Sequence, residues 1–512
     1  MPDNESPATG PAGALTAAQS NALAELLRIA PVADRLGELF TAAGHELYLV
    51  GGSVRDALMG RLGNDLDFTT SARPAEIEKL LREFTRGVKG AAVWDIGKEF
   101  GTIGARMPAG SDREPWLIEI TTFRADSYSA DSRKPEVVFG DTIDGDLVRR
   151  DFTVNAMAIA LPGRQFVDPY RGLADLASGV LRTPATAEQS FSDDPLRMMR
   201  AVRFLSQLQR PDGSYFVPDP DVLAAMLAMN ERIQIVSAER VRDELTKLLL
   251  TDQPRAGLNL LVESGLAAYV LPELPGLRLE VDEHHRHKDV YEHSLTVLQQ
   301  SIDLEQARGH EPDLVGRLAA LLHDIGKPAT RKFTDGGKVT FHHHDVVGSK
   351  LARKRMQALR FSSEQIKAVA KLVELHLRFH GYGDGLFDEE KGWTDSAVRR
   401  YVRDAGDQLE RLHILTRADC TTRNLRKANR LRRAYDDLER RIGELAEQEE
   451  LEAIRPDLNG DQIMTLLDLK PGPEVGKAYQ FLLEQRMEHG PLGEQRATEL
   501  LRQWWSDRTA IE

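Results

Sequence analysis

The chain has 512 residues, too many for one hydrophobic core, so we expect several domains. The formal net charge of −13 at pH 7 argues against a protein that binds nucleic acid nonspecifically over its whole surface, although a local basic patch can still contact phosphates. There is no apolar run of transmembrane length and no secretory signal, and the single cysteine, Cys420, excludes an intramolecular disulfide, so we expect a cytoplasmic protein with no membrane contact.

The domain organisation follows from changes of pattern along the chain. Residues 1–20 are rich in Pro, Ala, Gly and Asn without an apolar run, which predicts a disordered tail. Residues 21–186 mix short strands with helices, which indicates an α+β domain. Helical periodicity then dominates, with interruptions by Pro and Gly near Thr186, near Pro272 to Pro275 and near Pro456, and we divide the helical part into the segments 187–272, 273–430 and 431–512.

A glycine turn follows the first predicted strand. Leu47–Val50 is apolar, and Gly51-Gly52 precedes a helix that we expect from Val54 to Met59. Backbone N–H groups of such a turn and the positive end of the helix dipole can bind phosphate, and Arg55 could add a charged contact. In isolation, the same pattern is typical of an ordinary tight turn.

Acidic residues occupy two further predicted strands. Asp65 and Asp67 lie two positions apart, so both carboxylates project from one face of their strand. Such a pair can bind the metal ions that hold the attacking and leaving oxygens of an in-line displacement, although a loop cap or an exposed strand would also fit. Glu119, in the alternating segment Trp116 to Thr122, is a candidate third carboxylate or a solvated strand position.

The middle of the N-terminal half contains further elements. A helix is predicted over Pro74 to Phe84 and a strand near Gly101 to Arg106. The polar segment 126–135 predicts a loop near the acidic strands. Arg150 and Asp151 open an apolar element and could hold a ribose or phosphate, or could form an internal ion pair and helix cap.

A helix with an arginine at every third position follows. Asp193 or Asp194 caps this helix, and Arg197, Arg200 and Arg203 form a slowly drifting stripe along it. A salt-bridged surface helix would show the same pattern.

In this order the motifs resemble those of class II tRNA nucleotidyltransferases, the family that adds CCA to tRNA 3′ ends, with bacterial poly(A) polymerases as close relatives. The matching motifs are Gly51-Gly52-Ser53-Val54-Arg55-Asp56, Asp65-Leu66-Asp67, Arg150-Asp151-Phe152-Thr153-Val154-Asn155-Ala156, Asp168 to Asp175, Asp194-Pro195-Leu196-Arg197 and Ser237-Ala238-Glu239-Arg240. The resemblance implies an α+β fold, with a polymerase-β-like head built on a mixed sheet and followed by all-helical neck, HD and C-terminal domains. The family usually has Glu where Asp193 stands here.

The resemblance also implies roles for these residues. Asp65 and Asp67 would be the catalytic residues of a two-metal Mg²⁺ site, and Asp194 with Arg197 would form a protein template for the incoming base. Cytosine and adenine each offer an amine to the carboxylate and a ring acceptor to the guanidinium, whereas uracil and guanine place a carbonyl where Asp needs a donor. The implied nucleotide-binding residues are Gly51, Gly52, Ser53, Arg55, Arg150, Asp151, Asp194, Arg197, Arg200 and Arg203.

A second set of metal-ligating residue types lies in the helical half. Its members are His293, His323, Asp324, His344, His376 and Asp419. These nitrogen and oxygen donors suit a transition metal, or Mg²⁺ with water. Their order resembles an HD phosphohydrolase domain over about residues 289–419, which implies removal of phosphates from RNA ends or opening of cyclic phosphates. A domain that keeps these residues for architecture, or a metal site without useful turnover, would show the same order. His344 is chosen over its neighbouring histidines because Gly348 follows it at the family spacing.

A basic cluster near the end of this segment is a candidate RNA contact. Its members are Arg417, Arg423, Arg426, Lys427, Arg430, Arg432 and Arg433. A solvated helix face, balanced by the acidic stretch after Tyr435, would give the same pattern. By resemblance, the helices after about Asp457 are expected to contact the tRNA body.

The implied reaction adds C, C and A to the tRNA 3′ end from CTP and ATP and releases pyrophosphate. A poly(A) polymerase would use the same fold and metals but make a different product. Two other functions are a regulatory uridylyltransferase with an attached HD hydrolase, which the Asp194 and Arg197 motif disfavours, and a noncatalytic RNA-binding scaffold, which the presence of both Asp65 and Asp67 disfavours.

Overall fold

The computed structural model describes residues 16–61, 63–97, 101–109, 114–124, 139–210, 212–278, 289–333, 339–379, 393–420, 425–449 and 455–509. The chain divides into two units, Met1–Val270 and Leu271–Glu512. The first unit combines a sheet with helices and the second is mainly helical, which confirms the predicted α+β class. The predicted loop at residues 126–135 lies outside the described residues.

A seven-stranded mixed sheet forms the head of the first unit. Its strands are β1 (Leu47–Val50), β2 (Asp65–Thr70), β3 (Ala92–Gly97), β4 (Thr102–Met107), β5 (Trp116–Thr122), β6 (Ala158–Leu161) and β7 (Gln165–Val167). The order across the sheet is β3-β4-β5-β2-β1-β6-β7, in which β2 and β5 are parallel and the other pairs antiparallel. The acidic strands β2 and β5 therefore lie side by side near the centre of the sheet.

Five helices accompany this sheet: α1 (Ala17–Ile29), α2 (Pro31–Ala42), α3 (Gly52–Leu58), α4 (Pro74–Phe84) and α5 (Ile143–Val148). Helix α4 packs against β3, β4 and β5, and its buried residues Ile77, Leu80 and Leu81 recur at helical spacing. The buried residues of β5 alternate with exposed ones, so one face of the sheet enters the core and the other stays open.

The predicted disordered tail is too long. Thr16 and Gln19 form a capping box, so the helix α1 already begins at Ala17. Residues 1–15 lie outside the described residues.

The remaining helices of the first unit are α6 (Gly172–Ser178), α7 (Ala187–Asp193), α8 (Leu196–Gln207), α9 (Pro220–Met229), α10 (Ala238–Leu249), α11 (Arg255–Glu263) and α12 (Ala267–Val270). Helix α8 contacts both α10 and α11 and is buried along most of its length. A short parallel ladder joins β8 (Val180–Leu181) to β9 (Val217–Pro218), so the predicted neck is not entirely helical.

The second unit consists of α13 (Val290–Ala307), α14 (Leu314–Leu322), α15 (Lys327–Thr330), α16 (His344–Ala358), α17 (Ser363–Leu375), α18 (Asp395–Ala405), α19 (Leu409–Ala418), α20 (Leu425–Glu449), α21 (Gly460–Leu467), α22 (Pro473–His489) and α23 (Glu494–Thr509). A small hairpin, β10 (Lys332–Phe333) and β11 (Val339–Thr340), interrupts them. Helices α13, α14, α17 and α19 pack together, whereas α21, α22 and α23 share a core of their own. None of the helices in the described part of the chain has the length and apolar character of a membrane span.

Candidate active site and metal centre

The glycine turn joins β1 to α3 as the sequence predicts. Gly51 has a φ of +70°, which favours glycine because a side chain would be strained there. A Cβ at this position would lie 3.0 Å from Arg150 Nη1 and 3.9 Å from Asp67 Oδ2. The turn therefore favours glycine through its backbone conformation, a side chain there would displace the Arg150 guanidinium slightly, and the turn lies directly beside Arg150 and Asp67.

Three carboxylates lie together on the open face of the sheet. Asp67 is the register partner of Glu119 across the parallel β2–β5 pair, and Asp65 lies two positions before Asp67. Burial raises the pKa of Asp67, and Asp65 adds to this rise while Arg150 opposes it. Partial burial, Asp67 and Asp65 likewise raise the pKa of Glu119. This concentration of negative charge is a donor set that fits divalent cations.

Ser53 connects the turn to the acidic strand. Its hydroxyl donates to the carbonyl oxygen of Asp65 at 3.0 Å and accepts from the backbone N–H of Asp67 at 3.2 Å. The sequence motif contains Ser53, but this role depends on a contact that only the fold brings about.

The Arg55 side chain is buried and already has partners. Its Nη1 donates to Asn155 at 2.6 Å, and its Nε and Nη2 donate to Asp56, both at 2.8 Å. Its positive charge lowers the pKa of Asp67. Arg55 thus contributes charge to the site, while its donors hold α3 against the segment that contains Asn155.

Arg150 and Asp151 do not pair with each other. Arg150 donates to the fully buried Asp146 at 3.2 Å, whereas Asp151 accepts from Nε and Nη2 of Arg200 at 2.6 and 2.5 Å. Although burial opposes it, the Arg200 guanidinium holds the pKa of Asp151 well below its usual range. Of the two predicted roles for Asp151, the internal ion pair agrees with the structure, but its partner is Arg200.

Asp194 and Arg197 lie at the junction of α7 and α8. Asp194 accepts from the N–H of Leu196 at 3.1 Å, as predicted for a capping residue, and its other oxygen pairs with Arg240 at 3.1 Å. The buried Arg197 donates to Ser190 Oγ at 2.8 Å and to the carbonyl oxygen of Arg149. Asp193 belongs to the preceding helix α7, so it does not cap α8.

The remaining arginines of the stripe, Arg200 and Arg203, and Arg55 of α3 all lie close to one aromatic ring. The guanidinium carbons of Arg55, Arg200 and Arg203 lie 5.4, 5.6 and 4.3 Å from the centre of the Phe204 ring. Arg203 is buried and donates to Glu244 at 2.6 Å. These contacts make Arg203 part of the packing between α8 and α10, a role that the regular spacing could not reveal.

The second predicted constellation also comes together, and it divides into two groups of three. One contains His293, His323 and Asp419, and the other contains Asp324, His344 and His376. Asp324 connects the groups, because its Oδ2 lies 3.2 Å from His323 Nε2 and its Oδ1 lies 3.2 Å from His344 Nε2. Lys327, which the sequence reasoning missed, pairs with Asp324 at 2.6 Å.

The orientation of the imidazole rings fits metal binding. Nδ1 of His323, His344 and His376 lies 2.7 to 2.8 Å from the carbonyl oxygen three residues earlier in the chain. A carbonyl can only accept, so each Nδ1 carries a proton, and in a neutral imidazole Nε2 is then left as an acceptor. The Nε2 atoms of His344 and His376 are nevertheless only 3.3 Å apart. A shared cation would satisfy two such facing acceptors.

The basic cluster is smaller than predicted. Arg417 pairs with Asp436 at 2.9 Å and with Glu439 at 2.7 Å, so its charge is neutralised locally. The exposed arginines of the predicted cluster on α20 are Arg426, Arg430, Arg432 and Arg433. Arg423 and the side chain of Lys427 lie outside the described residues.

Comparison with known proteins assigns the chain to a family. The poly A polymerase head domain model matches residues 47–182, the model for a probable RNA and SrmB-binding site of polymerase A matches residues 216–277, and the HD domain model matches residues 290–424. An A-adding tRNA nucleotidyltransferase of Deinococcus radiodurans is 33% identical over 470 residues, which cover 90% of this chain and 96% of that protein. The chain belongs to the tRNA nucleotidyltransferase family.

Other members of this family match over a shorter region. CCA-adding enzymes of Bacillus velezensis and Lactobacillus gasseri are 40% identical over 236 residues and 37% identical over 253 residues. These alignments cover 46% and 49% of this chain. They cover 53% and 56% of the two relatives, so the chain spans about half the length of these curated relatives. As a member of the family, the protein is a nucleotidyltransferase.

Solved structures show the same fold. The Bacillus stearothermophilus CCA-adding enzyme in complex with CTP gives a TM-score of 0.64 at 22% identity, covering 97% of this chain and all (100%) of that one. The Thermotoga maritima CCA-adding enzyme complexed with tRNA gives 0.58 at 18% identity, covering 95% and 98%. The predicted nucleotidyltransferase fold is thereby confirmed.

Proposed function

We propose that this nucleotidyltransferase adds C, C and A to tRNA 3′ ends, using CTP and ATP and releasing pyrophosphate. The observation that carries the proposal is the group of three carboxylates beside the glycine turn. The names of the curated relatives, CCA-adding and A-adding, support tRNA end completion over poly(A) synthesis.

In the proposed reaction the 3′ oxygen of the RNA attacks the α-phosphorus of the nucleotide. A phosphorus–oxygen bond forms there as the bond to the β-phosphate bridging oxygen breaks, and the hydroxyl proton leaves to solvent. Asp65, Asp67 and Glu119 would hold Mg²⁺, which when bound stabilises the attacking and leaving oxygens. Arg150 lies beside the turn that would receive the triphosphate, and its guanidinium would neutralise charge there.

Base selection would fall to Asp194 and Arg197. The present partner of Asp194 is the half-exposed Arg240, and an exposed ion pair of this kind is worth about 0 to 1 kcal/mol. An incoming base that offers an amine could therefore replace Arg240 at little cost. A base with a carbonyl there would leave the carboxylate without a donor, a mismatch that supports strong discrimination.

Variants test the two parts of the site separately. Asp65→Ala and Asp67→Ala should abolish incorporation of CTP and ATP while circular dichroism stays unchanged; ordinary activity in either variant would refute the catalytic assignment. Asp194→Ala or Arg197→Ala should relax or abolish choice between CTP and UTP. Arg240→Ala is the matched control, which should retain that choice.

A second candidate is an enzyme that adds only the terminal A. It is favoured by the alignment with the A-adding enzyme, which covers 96% of that relative. Three tRNAs, ending before CCA, after the first C and after CC, should each be incubated with CTP, ATP or both, and the product ends sequenced. Completion of CCA on all three supports the main proposal. Extension of the CC end alone supports A addition, and a long A tract would indicate a poly(A) polymerase.

We also propose that the six-residue centre binds a transition metal or Mg²⁺ and hydrolyses phosphates at RNA ends. The facing Nε2 acceptors and the shared carboxylate of Asp324 support this. Metal content and phosphatase activity should be measured for the wild type, His323→Ala and Asp324→Ala. Loss of metal and activity in both variants is expected, and phosphatase activity that survives both changes would reject this site.

The wider organisation is part of the proposal. The segments are a head at 21–186, a neck at 187–272, an HD domain at 273–430 and a tRNA-binding region at 431–512, which would contact the tRNA body. A cytoplasmic location, suggested by the single cysteine, agrees with a tRNA substrate.

A further inference from the structure

An exposed tryptophan lies on the edge strand of the head sheet. Trp94 of β3 keeps 40% of its surface exposed and the neighbouring Ile96 keeps 45%. Single exposed apolar side chains are common, but Trp94 and Ile96 both lie over Gly104 and so form an apolar patch, and such a patch is typical of a contact with a ligand or partner. The position of Trp94 in the sheet therefore needs an explanation.

The strand register places Trp94 in the same row as the catalytic carboxylates. Trp94 pairs with Gly104, Gly104 pairs with Glu119, and Glu119 pairs with Asp67. Residues paired directly across neighbouring strands project from the same face of a sheet. The row thus runs from the edge of the sheet to the active site on one face.

The close approach at Gly104 confirms the direction of the ring. A Cβ on Gly104 would lie 2.7 Å from Trp94 Cε2 and 2.6 Å from Ile96 Cδ1. The indole consequently covers Gly104 on the face that carries Glu119. Glycine at this position lets the ring lie low over the sheet, beside the carboxylates.

The two sides of the carboxylates differ. The glycine turn and Arg150 lie on the β1 side, where the proposed function puts the incoming nucleotide. An in-line displacement requires the attacking oxygen to approach opposite the leaving pyrophosphate. The RNA end must then come from the β4 and β3 side. Trp94 lies two strands from Glu119, roughly 10 Å at the usual strand spacing, which is within reach of the last nucleotide.

We propose that Trp94 is a stacking platform for the 3′-terminal base of the RNA substrate. The inference rests on the proposed catalytic role of the carboxylates, and Trp94 acts as a positioning residue. Stacking suits this substrate because every base has a π face, so the contact tolerates any sequence. The terminal base changes after each addition, and a hydrogen-bonding contact specific to one base would fail at the next step.

Steady-state kinetics on the full chain test this role. Trp94→Ala should raise the KM for an RNA substrate by about five- to twenty-fold, the lower part of the range for a lost base stack. The KM for CTP should stay unchanged. Trp94→Phe should restore most of the RNA affinity because it keeps an aromatic face. Gly104→Ala should mimic the Trp94→Ala defect by displacing the ring.

A substrate change distinguishes stacking from a general defect of the fold. With an RNA whose last nucleotide lacks its base, wild type and Trp94→Ala should have the same KM. An equal defect of Trp94→Ala on intact and abasic RNA would overturn the inference, as would an unchanged KM for intact RNA. If Trp94→Ala fails to fold, the KM values of Trp94→Leu and Trp94→Phe for intact RNA should be compared instead. Equal KM values for these two variants would also overturn the inference.

The proposed function is tested independently by Asp67→Asn. An inactive Asp67→Asn together with a normal Trp94→Ala removes only the stacking role. An active Asp67→Asn removes the catalytic assignment on which the stacking role rests.

Discussion

Replacing Gly51 by alanine should damage both stability and catalysis. The φ of +70° combined with the ψ of −133° would place alanine in a backbone region that is favourable only for glycine, at a cost of about 1 to 3 kcal/mol in the free energy of unfolding. The new Cβ would also lie 3.0 Å from Arg150 Nη1, tighter than an ordinary contact, so the guanidinium must shift by a few tenths of an ångström. A displacement beside the reacting groups should lower kcat/KM about ten- to hundredfold.

Two other glycines, Gly44 and Gly52, separate the effect on stability from the effect on catalysis. Gly44 has a φ of +81° and nothing within 4 Å of its Cβ position, so Gly44→Ala should show the strain without the loss of activity. At Gly52, where φ is not positive, a Cβ would meet Arg55 Nη2 at 3.7 Å, so Gly52→Ala should change stability by only about 0.5 kcal/mol or less.

Urea unfolding followed by circular dichroism gives the stabilities, and CTP incorporation gives kcat/KM. The reasoning is refuted if Gly51→Ala is no less stable than Gly52→Ala. It is also refuted if Gly51→Ala and Gly44→Ala lose activity equally.

Three further outcomes are expected. The depressed pKa of Asp151 contributes stability that is present above about pH 4 and is lost as the pH falls toward the folded-state pKa. Arg200→Met should therefore weaken the loss of unfolding free energy at acidic pH, and an unchanged acid dependence would contradict the ion-pair argument. Arg317→Met should cost about 3 to 5 kcal/mol because it leaves the buried Glu305 unpaired, and Glu305→Gln added to it should recover part of that loss in urea unfolding. Removing bound metal with a chelator should lower the melting temperature, because the facing acceptors of the six-residue centre lose their cation, and re-addition of metal should reverse the change.

Local pattern predicted the elements that carry the site. The strand at Leu47–Val50, the helix at Pro74–Phe84 and the strand at Trp116–Thr122 have the predicted bounds, because their apolar residues follow the strand or helix period closely. Strand β3 was not predicted. It lies on the sheet edge, where most of its residues stay exposed, so burial does not impose a regular pattern of apolar residues on its sequence.

Partners distant in the sequence could not be predicted. The ion pair of Asp151 spans 49 residues, and it forms because packing of α8 brings Arg200 to the end of α5. The six HD candidates could be named from residue type and order, but their division into two groups depends on how α13, α14, α16, α17 and α19 pack. The regular spacing also suggested nucleotide binding for the whole arginine stripe. In the structure, however, Arg203 is buried and packs between α8 and α10, whereas Arg200 pairs with Asp151.

The hydroxyl of Ser53 has a consequence for how this site tolerates change. Because it bonds to the backbone of both Asp65 and Asp67, it adds a side-chain link between the turn and the acidic strand to the backbone ladder that pairs β1 with β2, and neither link depends on the length of the intervening loop. Residues between Gly60 and Asn64 should therefore accept insertions that leave the geometry of the active site unchanged. Homologues should vary there in length while they keep a hydroxyl residue at the position of Ser53.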